Sequence, residues 1–156
     1  MAQERGATEA EQSARVVGRI VYRSDRQVAD WVAKNLGSQP WAGSFAALGV
    51  LDKNCKGLIA GVVYHSYDGV NVIMSIAATD PRWARKGILK TIFHYPFTSL
   101  GCRRVTALVH EDNTRSQRLV TGLGYKREGS LREAADDGGD MLVYGLLKSE
   151  CRFHHG

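Results

Sequence analysis

Three short apolar runs joined by two tight polar turns constrain this chain more than any other feature. Phe45–Leu51, Leu58–His65 and Val70–Thr79 are rich in β-branched and small apolar residues, and Asp52–Gly57 and Tyr67–Gly69 between them carry turn chemistry. Connections this short leave no room for a crossover helix, so the runs predict an antiparallel meander. Asp80-Pro81 closes the last run, because proline fixes φ and has no N–H for a ladder. Arg82, Arg85 and Lys86 then crowd around Gly87. They open a segment, Arg85 to Leu100, whose Ile88, Leu89, Ile92, Phe93, Tyr95, Phe97 and Leu100 fit a buried helix, with Pro96 ending its regular part near Tyr95. Free helix N-terminal amides beside cationic side chains make an anion site.

The rest of the chain is built around that centre. Arg15–Tyr22 reads as a strand, and Arg26–Leu36 as a helix capped by Ser24 or Asp25, with Val28, Trp31, Val32 and Leu36 at helical spacing. Residues 38–43 form a loop containing Trp41. Arg104–Val109 reads as a strand, followed by a short helix capped by Asn113 or Thr114 and ended by Gly124. A strand from Tyr125 to Leu131 returns through the turn 136–140 into Met141–Leu147. The predicted order is βαβββαβαββ, an α/β (α+β) domain with a mixed, mostly antiparallel sheet and flanking helices. A length of 156 residues suits one such domain, over residues 15–150, with a polar flexible stretch 1–14 and a tail 151–156.

Composition excludes more than it assigns. A formal charge of +5 favours anionic partners without naming one. No apolar run is long enough to span a membrane, and the first residues have no signal-peptide core, so the expected location is cytoplasmic. Cys55, Cys102 and Cys151 form no C-x-x-C pair, and His65 and His94 have no zinc-ligand spacing, so no metal is expected.

At Ala78–Leu89 and again at Asn113–Tyr125 the chain resembles the GCN5-related N-acetyltransferases, over roughly residues 16–148. Within that superfamily it looks most like the ribosomal-protein-alanine and spermidine-type branch, including members from bacteriophage and prophage genomes of bacteria. The resemblance implies an acyl-CoA N-acyltransferase fold that binds acetyl-CoA, releases CoA and acetylates a primary amine. The family's pyrophosphate pattern is Gln or Arg, two residues, Gly, one residue, then Gly or Ala. Arg82-Trp83-Ala84-Arg85-Lys86-Gly87 fits it, with Arg85 in place of the middle glycine. A carbonyl-polarising backbone N–H is implied near Ala77 or Ala78. Ala77, Ala78, Thr79, Arg82 through Gly87 and Ile88 are thus the implied cofactor residues, joined by Asn113 toward pantetheine and Ser116 beside the thiol. Many members carry a tyrosine seven residues after the asparagine to reprotonate the thiolate; Val120 stands there, and Ser116 or a water takes its place.

Acetyl transfer to an amine needs a deprotonated nucleophile, a polarised carbonyl and a route for the proton. Ser75, His110, Glu111 and Asp112 are the nearby candidates for a base; Glu111 and His110 follow the Arg104–Val109 strand, where either can take a proton directly or through water, and a solvated acid and a packing histidine are the alternatives. Ser75 and Trp41 are candidate acceptor contacts, Trp41 equally a lid on the core, while Asp136, Asp137 and Asp140 can attract a cationic amine or simply make an acidic turn. The acceptor is a protein N-terminus, peptide, polyamine or other small molecule. A nucleic-acid-modifying acyltransferase on phage DNA or tRNA, motivated by Arg103-Arg104 and the net charge, and a non-catalytic CoA-binding domain are the alternative functions. Exposed sheet edges allow a homodimer.

Overall fold

Gly18 divides the first predicted strand. In the computed structural model, which describes residues 14–154, Gly18 takes φ +62° and turns the run back on itself. Arg15–Val17 (β1) and Ile20–Tyr22 (β2) thus form a tight antiparallel hairpin, which the alternation of apolar residues alone could not distinguish from one strand. Residues 1–13 and the end of the expected tail, 155–156, lie outside the described residues. The order that follows is Asp25–Leu36 (α1), Phe45–Leu51 (β3), Leu58–His65 (β4), Asn71–Ala78 (β5), Lys86–His94 (α2), Arg104–His110 (β6), Thr114–Leu123 (α3), Lys126–Leu131 (β7) and Met141–Leu147 (β8). It otherwise follows the order read from the sequence, ββαβββαβαββ.

The sheet runs β1-β2-β3-β4-β5-β6-β8-β7, and every neighbouring pair is antiparallel except β5 and β6. The single parallel pair is forced, because α2 carries the chain back over one face before β6 begins. α1 covers the opposite face, where Val28, Ala29, Val32 and Ala33 pack on Ala47, Val63 and Ala77. Gly61 allows that contact: a Cβ there would lie 2.6 Å from a Val32 methyl. On the other face α2 and α3 close the larger core, with Ile92, Phe93, Val120 and Leu123 against Val62, Met74 and Val105.

Pro96 acts as expected. α2 ends at His94, and the chain continues as one wide π turn over Tyr95–Ser99. Each of the other helices stops at a left-handed glycine, Gly37 after α1 and Gly124 after α3. No helix among the described residues is long and apolar enough to cross a membrane.

Candidate active site

The site begins with strands that part. β5 and β6 pair over Asn71↔Arg104, Val72↔Val105 and Ile73↔Thr106, and then diverge. The closed end is pinned by polar contacts: Thr106 Oγ1 donates to Asn71 Oδ1 (2.7 Å), and Arg104 bonds Thr106 (3.2 Å) and Glu128 (2.6 Å). Beyond Ile73 the two strands leave a gap.

Alternation decides which backbone groups face that gap. Thr79 N–H donates to Ile59 O (2.8 Å) toward β4, while Val70 O accepts from Arg103 N–H (2.9 Å) toward β6. Odd-numbered residues of β5, Ala77 among them, are therefore spent on the β4 ladder, and Ile76 and Ala78 turn their backbone groups into the gap. Of the two residues expected to polarise a carbonyl, Ala78 has the right orientation and Ala77 does not.

Two cavities of about 400 and 420 Å³ share Leu36, Ile76, Asn113, Ser116 and Leu119, so they join as one passage along the gap. One mouth opens beside α1 at Trp41, His65, Ser75, His110 and Asp137. The other opens at Ala78, Thr79, Arg115 and Arg118, and continues into a groove between α2 and α3 bordered by Ala84, Lys86 and Arg152. The passage thus runs from an acidic and imidazole-bearing mouth to a basic groove.

The basic loop explains the second mouth. Asp80 caps a single 3-10 turn, Pro81–Trp83, by accepting from Arg82 N–H (2.9 Å). Its carboxylate also takes the Arg82 guanidinium (2.7 Å to Nη2), whose bonds hold the Asp80 carboxyl down at about 2. Arg82 is therefore oriented by Asp80 while its side chain stays 76% exposed. Trp83 turns inward and is 2% exposed, so its side chain belongs to the core, on the floor of the cavity it helps to line. Arg85 sits at the N-cap of α2 with φ −79° and ψ 148°, ordinary extended backbone that needs no glycine. Leu89 makes the first helical bond, to Arg85 O (2.9 Å), which leaves the amides of Lys86, Gly87 and Ile88 without a helical acceptor. A Cβ on Gly87 would meet nothing within 4 Å, so open space lies over these amides. These donors, the open space and the cations of Arg85 and Lys86, which have no ion-pair partner among the described residues, suit a pyrophosphate.

Asn113 Oδ1 accepts from Ser116 N–H (3.0 Å) and caps α3, which leaves its amide nitrogen available to a ligand. Ser116 lines both arms of the passage at its waist. Arg115 reaches across the gap and donates to Ala78 O (2.9 Å). Val120 and Tyr125 are buried, and Tyr125 donates its hydroxyl to Met74 Sδ (3.4 Å), so neither offers an acid to the passage.

The candidate bases separate. Glu111 is exposed and lies outside the residues that line the passage. Its placement follows from the turn: the backbone N–H of Glu111 is tied to Asp140 O (3.0 Å), outside the gap. His110 does line the passage, but both ring nitrogens are used. Nε2 meets the Asp137 carboxylate (2.9 Å), and Nδ1 accepts from Asp112 N–H (3.0 Å). The Asp137 hydrogen bond raises the His110 pKa, whereas the Asp112 amide requires a lone pair on Nδ1. A neutral ring with its hydrogen on Nε2 satisfies both partners, and gaining a proton costs the Asp112 bond.

His65 is the residue that sequence reasoning passed over. Its place in a strand, with no zinc-ligand spacing, gives it little weight as a base in the sequence, yet it lines the Trp41 mouth of the passage, and burial lowers its pKa below 6.5. The missed signal was register: His65 pairs with Ile73 across β4 and β5, which places Ser75 diagonally beside it on the same face.

No family model matches the chain. It is 34% identical over 64 residues to the uncharacterized N-acetyltransferase YoaA of Bacillus subtilis, covering 39% of this chain, and 35% identical over 65 residues to the uncharacterized N-acetyltransferase p20 of Bacillus licheniformis, covering 40%. Both matches cover 36% of the relative, so the chain spans about a third of the length of these curated relatives. Among solved structures it superposes on a GCN5-related N-acetyltransferase from Brucella melitensis with a TM-score of 0.63 at 17% identity, covering 89% of this chain and 80% of the other. A ribosomal-protein-S5-alanine acetyltransferase from Vibrio fischeri gives 0.60 at 13%, covering 90% and 99%. A spermidine N-acetyltransferase chimera from Vibrio cholerae and hSSAT gives 0.61 at 20%, covering 86% and 98%. The chain has the GCN5-related N-acetyltransferase fold, and ribosomal-protein-alanine and spermidine acetyltransferases stand among its structural neighbours as the sequence resemblance implied.

Proposed function

We propose that the chain is an acetyl-CoA-dependent N-acetyltransferase that moves an acetyl group directly to a primary amine. The passage between β5 and β6 carries this reading: it admits an extended chain past the inward-facing backbone of Ile76 and Ala78 and leads on to free amides and cations at the start of α2. Bound acetyl-CoA supplies an activated acetyl group as a thioester. Lys86, Gly87 and Ile88 hold the pyrophosphate with backbone amides, and Arg85 and Lys86 neutralise it. Asn113 positions the pantetheine arm. Ala78 N–H faces the carbonyl oxygen, and Ser116 stands where the thiolate leaves.

The acceptor enters from the α1 side, past Trp41 and Ser75, whose mouth also bears Asp136 and Asp137. An amine that carries its own positive charge suits that rim, as a protein N-terminus, a peptide amine or a polyamine does. Titration calorimetry tests the cofactor half: saturable binding of acetyl-CoA and CoA is expected, and its absence ends the proposal. Amine-dependent thiol release against polyamines and alanine-terminated peptides tests the transfer half. Binding with no release from any amine would instead favour a CoA-binding domain without catalysis, the reading that buried Val120 motivates.

A further inference from the structure

We infer that His65, acting through Ser75, takes the proton from the acceptor ammonium, with Ser66 holding the imidazole in the tautomer this requires. The inference rests on the acetyltransferase reading and adds the proton acceptor that Glu111 and His110 do not supply.

Geometry carries it. Ser66 Oγ lies 3.0 Å from His65 Nδ1, and Ser75 Oγ lies 3.4 Å from Nε2. If Ser66 accepts from Nδ1–H, the Nε2 lone pair faces Ser75 and the passage. The backbone supports this arrangement at a cost. Ser66 takes φ +56°, a left-handed conformation unusual for a residue with a side chain, at the point where β4 ends and its hydroxyl must turn back to the ring. The Trp41 ring packs at 5.9 Å from the imidazole centroid, on a loop fixed by the bond from Arg26 Nη1 to Trp41 O (2.8 Å).

His65 lies beside Phe45 on β3, Ile73 and Ser75 on β5, Ser66 and Trp41, none of them charged, and α1 brings one cation to this group, Arg26, over the Phe45 ring (4.6 Å) and on Trp41 O (2.8 Å). Titratable groups sharing the cavity are His110, Asp136 and Asp137. Desolvation is the one cause that moves His65, and it favours the neutral ring. A neutral imidazole at physiological pH is the state a proton acceptor needs.

The step balances. An acceptor N–H bond breaks, its electron pair stays on nitrogen, and the proton passes through the Ser75 hydroxyl to His65 Nε2. The freed amine forms the C–N bond to the acetyl carbon as the C–S bond breaks. CoA leaves as thiolate and takes up the second amine proton, giving amide and thiol, and His65 later returns its proton to solvent. Ser66 is a positioning residue, since it touches only the imidazole.

Two measurements on the full chain decide the matter. Two-bond ¹H–¹⁵N spectra of the imidazoles should show His65 neutral with its hydrogen on Nδ1 and a titration midpoint below 6.5. The opposite tautomer, or a midpoint at or above that value, overturns the inference whatever the activity. In thiol-release assays with an amine acceptor, the wild-type kcat/KM should fall on the acid side of that midpoint. His65→Gln should lower kcat/KM by about 10²-fold and abolish the midpoint, with acetyl-CoA affinity unchanged. Ser66→Gly, which relieves the backbone while removing the hydroxyl, should retain folding and populate the Nε2–H tautomer. A His65→Gln protein that keeps the wild-type rate and acid limb overturns the inference and leaves the acetyltransferase reading standing. A wild-type protein that binds acetyl-CoA but releases no thiol with any amine removes both.

Discussion

The two ends of the β5 and β6 pair are built from the same strands and do opposite things. At the closed end, three rows of backbone pairing are reinforced by a buried hydroxyl, an amide and an ion pair, Asn71–Thr106–Arg104–Glu128. At the open end the backbone of Ile76 and Ala78 faces a passage, and one side chain, Arg115, reaches across to Ala78 O. A sheet normally resists leaving backbone groups unpaired in its middle. Here pairing is concentrated where it fixes the strands, and withheld where a ligand chain can replace the missing partner.

That contrast can be attacked from both ends. The largest effect is expected at the open end: Lys86→Glu reverses a charge beside the free amides of α2 and should weaken acetyl-CoA binding by about ten- to hundredfold, the range of a lost charge-assisted bond. Calorimetry should show it without a change in the urea midpoint. At the closed end, Thr106→Val keeps the shape but leaves Asn71 Oδ1 without its donor, and should cost about 1–3 kcal/mol in urea unfolding. Equal loss of cofactor affinity in that variant would show that the two ends are not separable.

Smaller effects test the bridge and the rim. Arg115→Ala should cost about 1 kcal/mol or less and speed hydrogen exchange at the neighbouring paired amide of Thr79, with the amides of Val72 and Val105 unaffected. Asp137→Asn removes the carboxylate that holds His110 above its ordinary value, so the His110 midpoint should fall in a proton NMR titration. The sign for stability follows: a raised folded pKa stabilises below the unfolded value of 6.5 and loses that stabilisation as pH rises through the folded value. His65 has the reverse sense, its contribution present above 6.5 and lost as pH falls through its lowered value.

Much of the fold was legible because its signals are local. The meander, the stop at Pro81, the break at Pro96 and the caps at Asn113 and Gly124 each depend on residues a few positions apart. The β1–β2 hairpin was missed because Gly18 is a permissive residue inside an otherwise regular pattern, and only the backbone shows whether the freedom is used. Site residues were harder. The motif does not tell that Arg82 pairs with Asp80 or that Trp83 turns into the core beneath the cavity, nor does the strand pattern tell that the backbone of Ala77 is spent on β4.

By itself the sequence determined the strand and helix order, the placement of the basic loop at a helix start, and the expectation of a CoA-dependent acetyltransferase fold. The first two follow from propensity and periodicity, which act along the chain, and the last is what the family resemblance of its motifs implies. Tertiary structure alone decided that Arg85 sits in extended backbone needing no glycine, that Ala78 rather than Ala77 faces the gap, and that His65 meets Ser75 and Ser66 at the acceptor mouth. Each depends on strand register and on the direction in which a group points, and neither is fixed until distant strands pair.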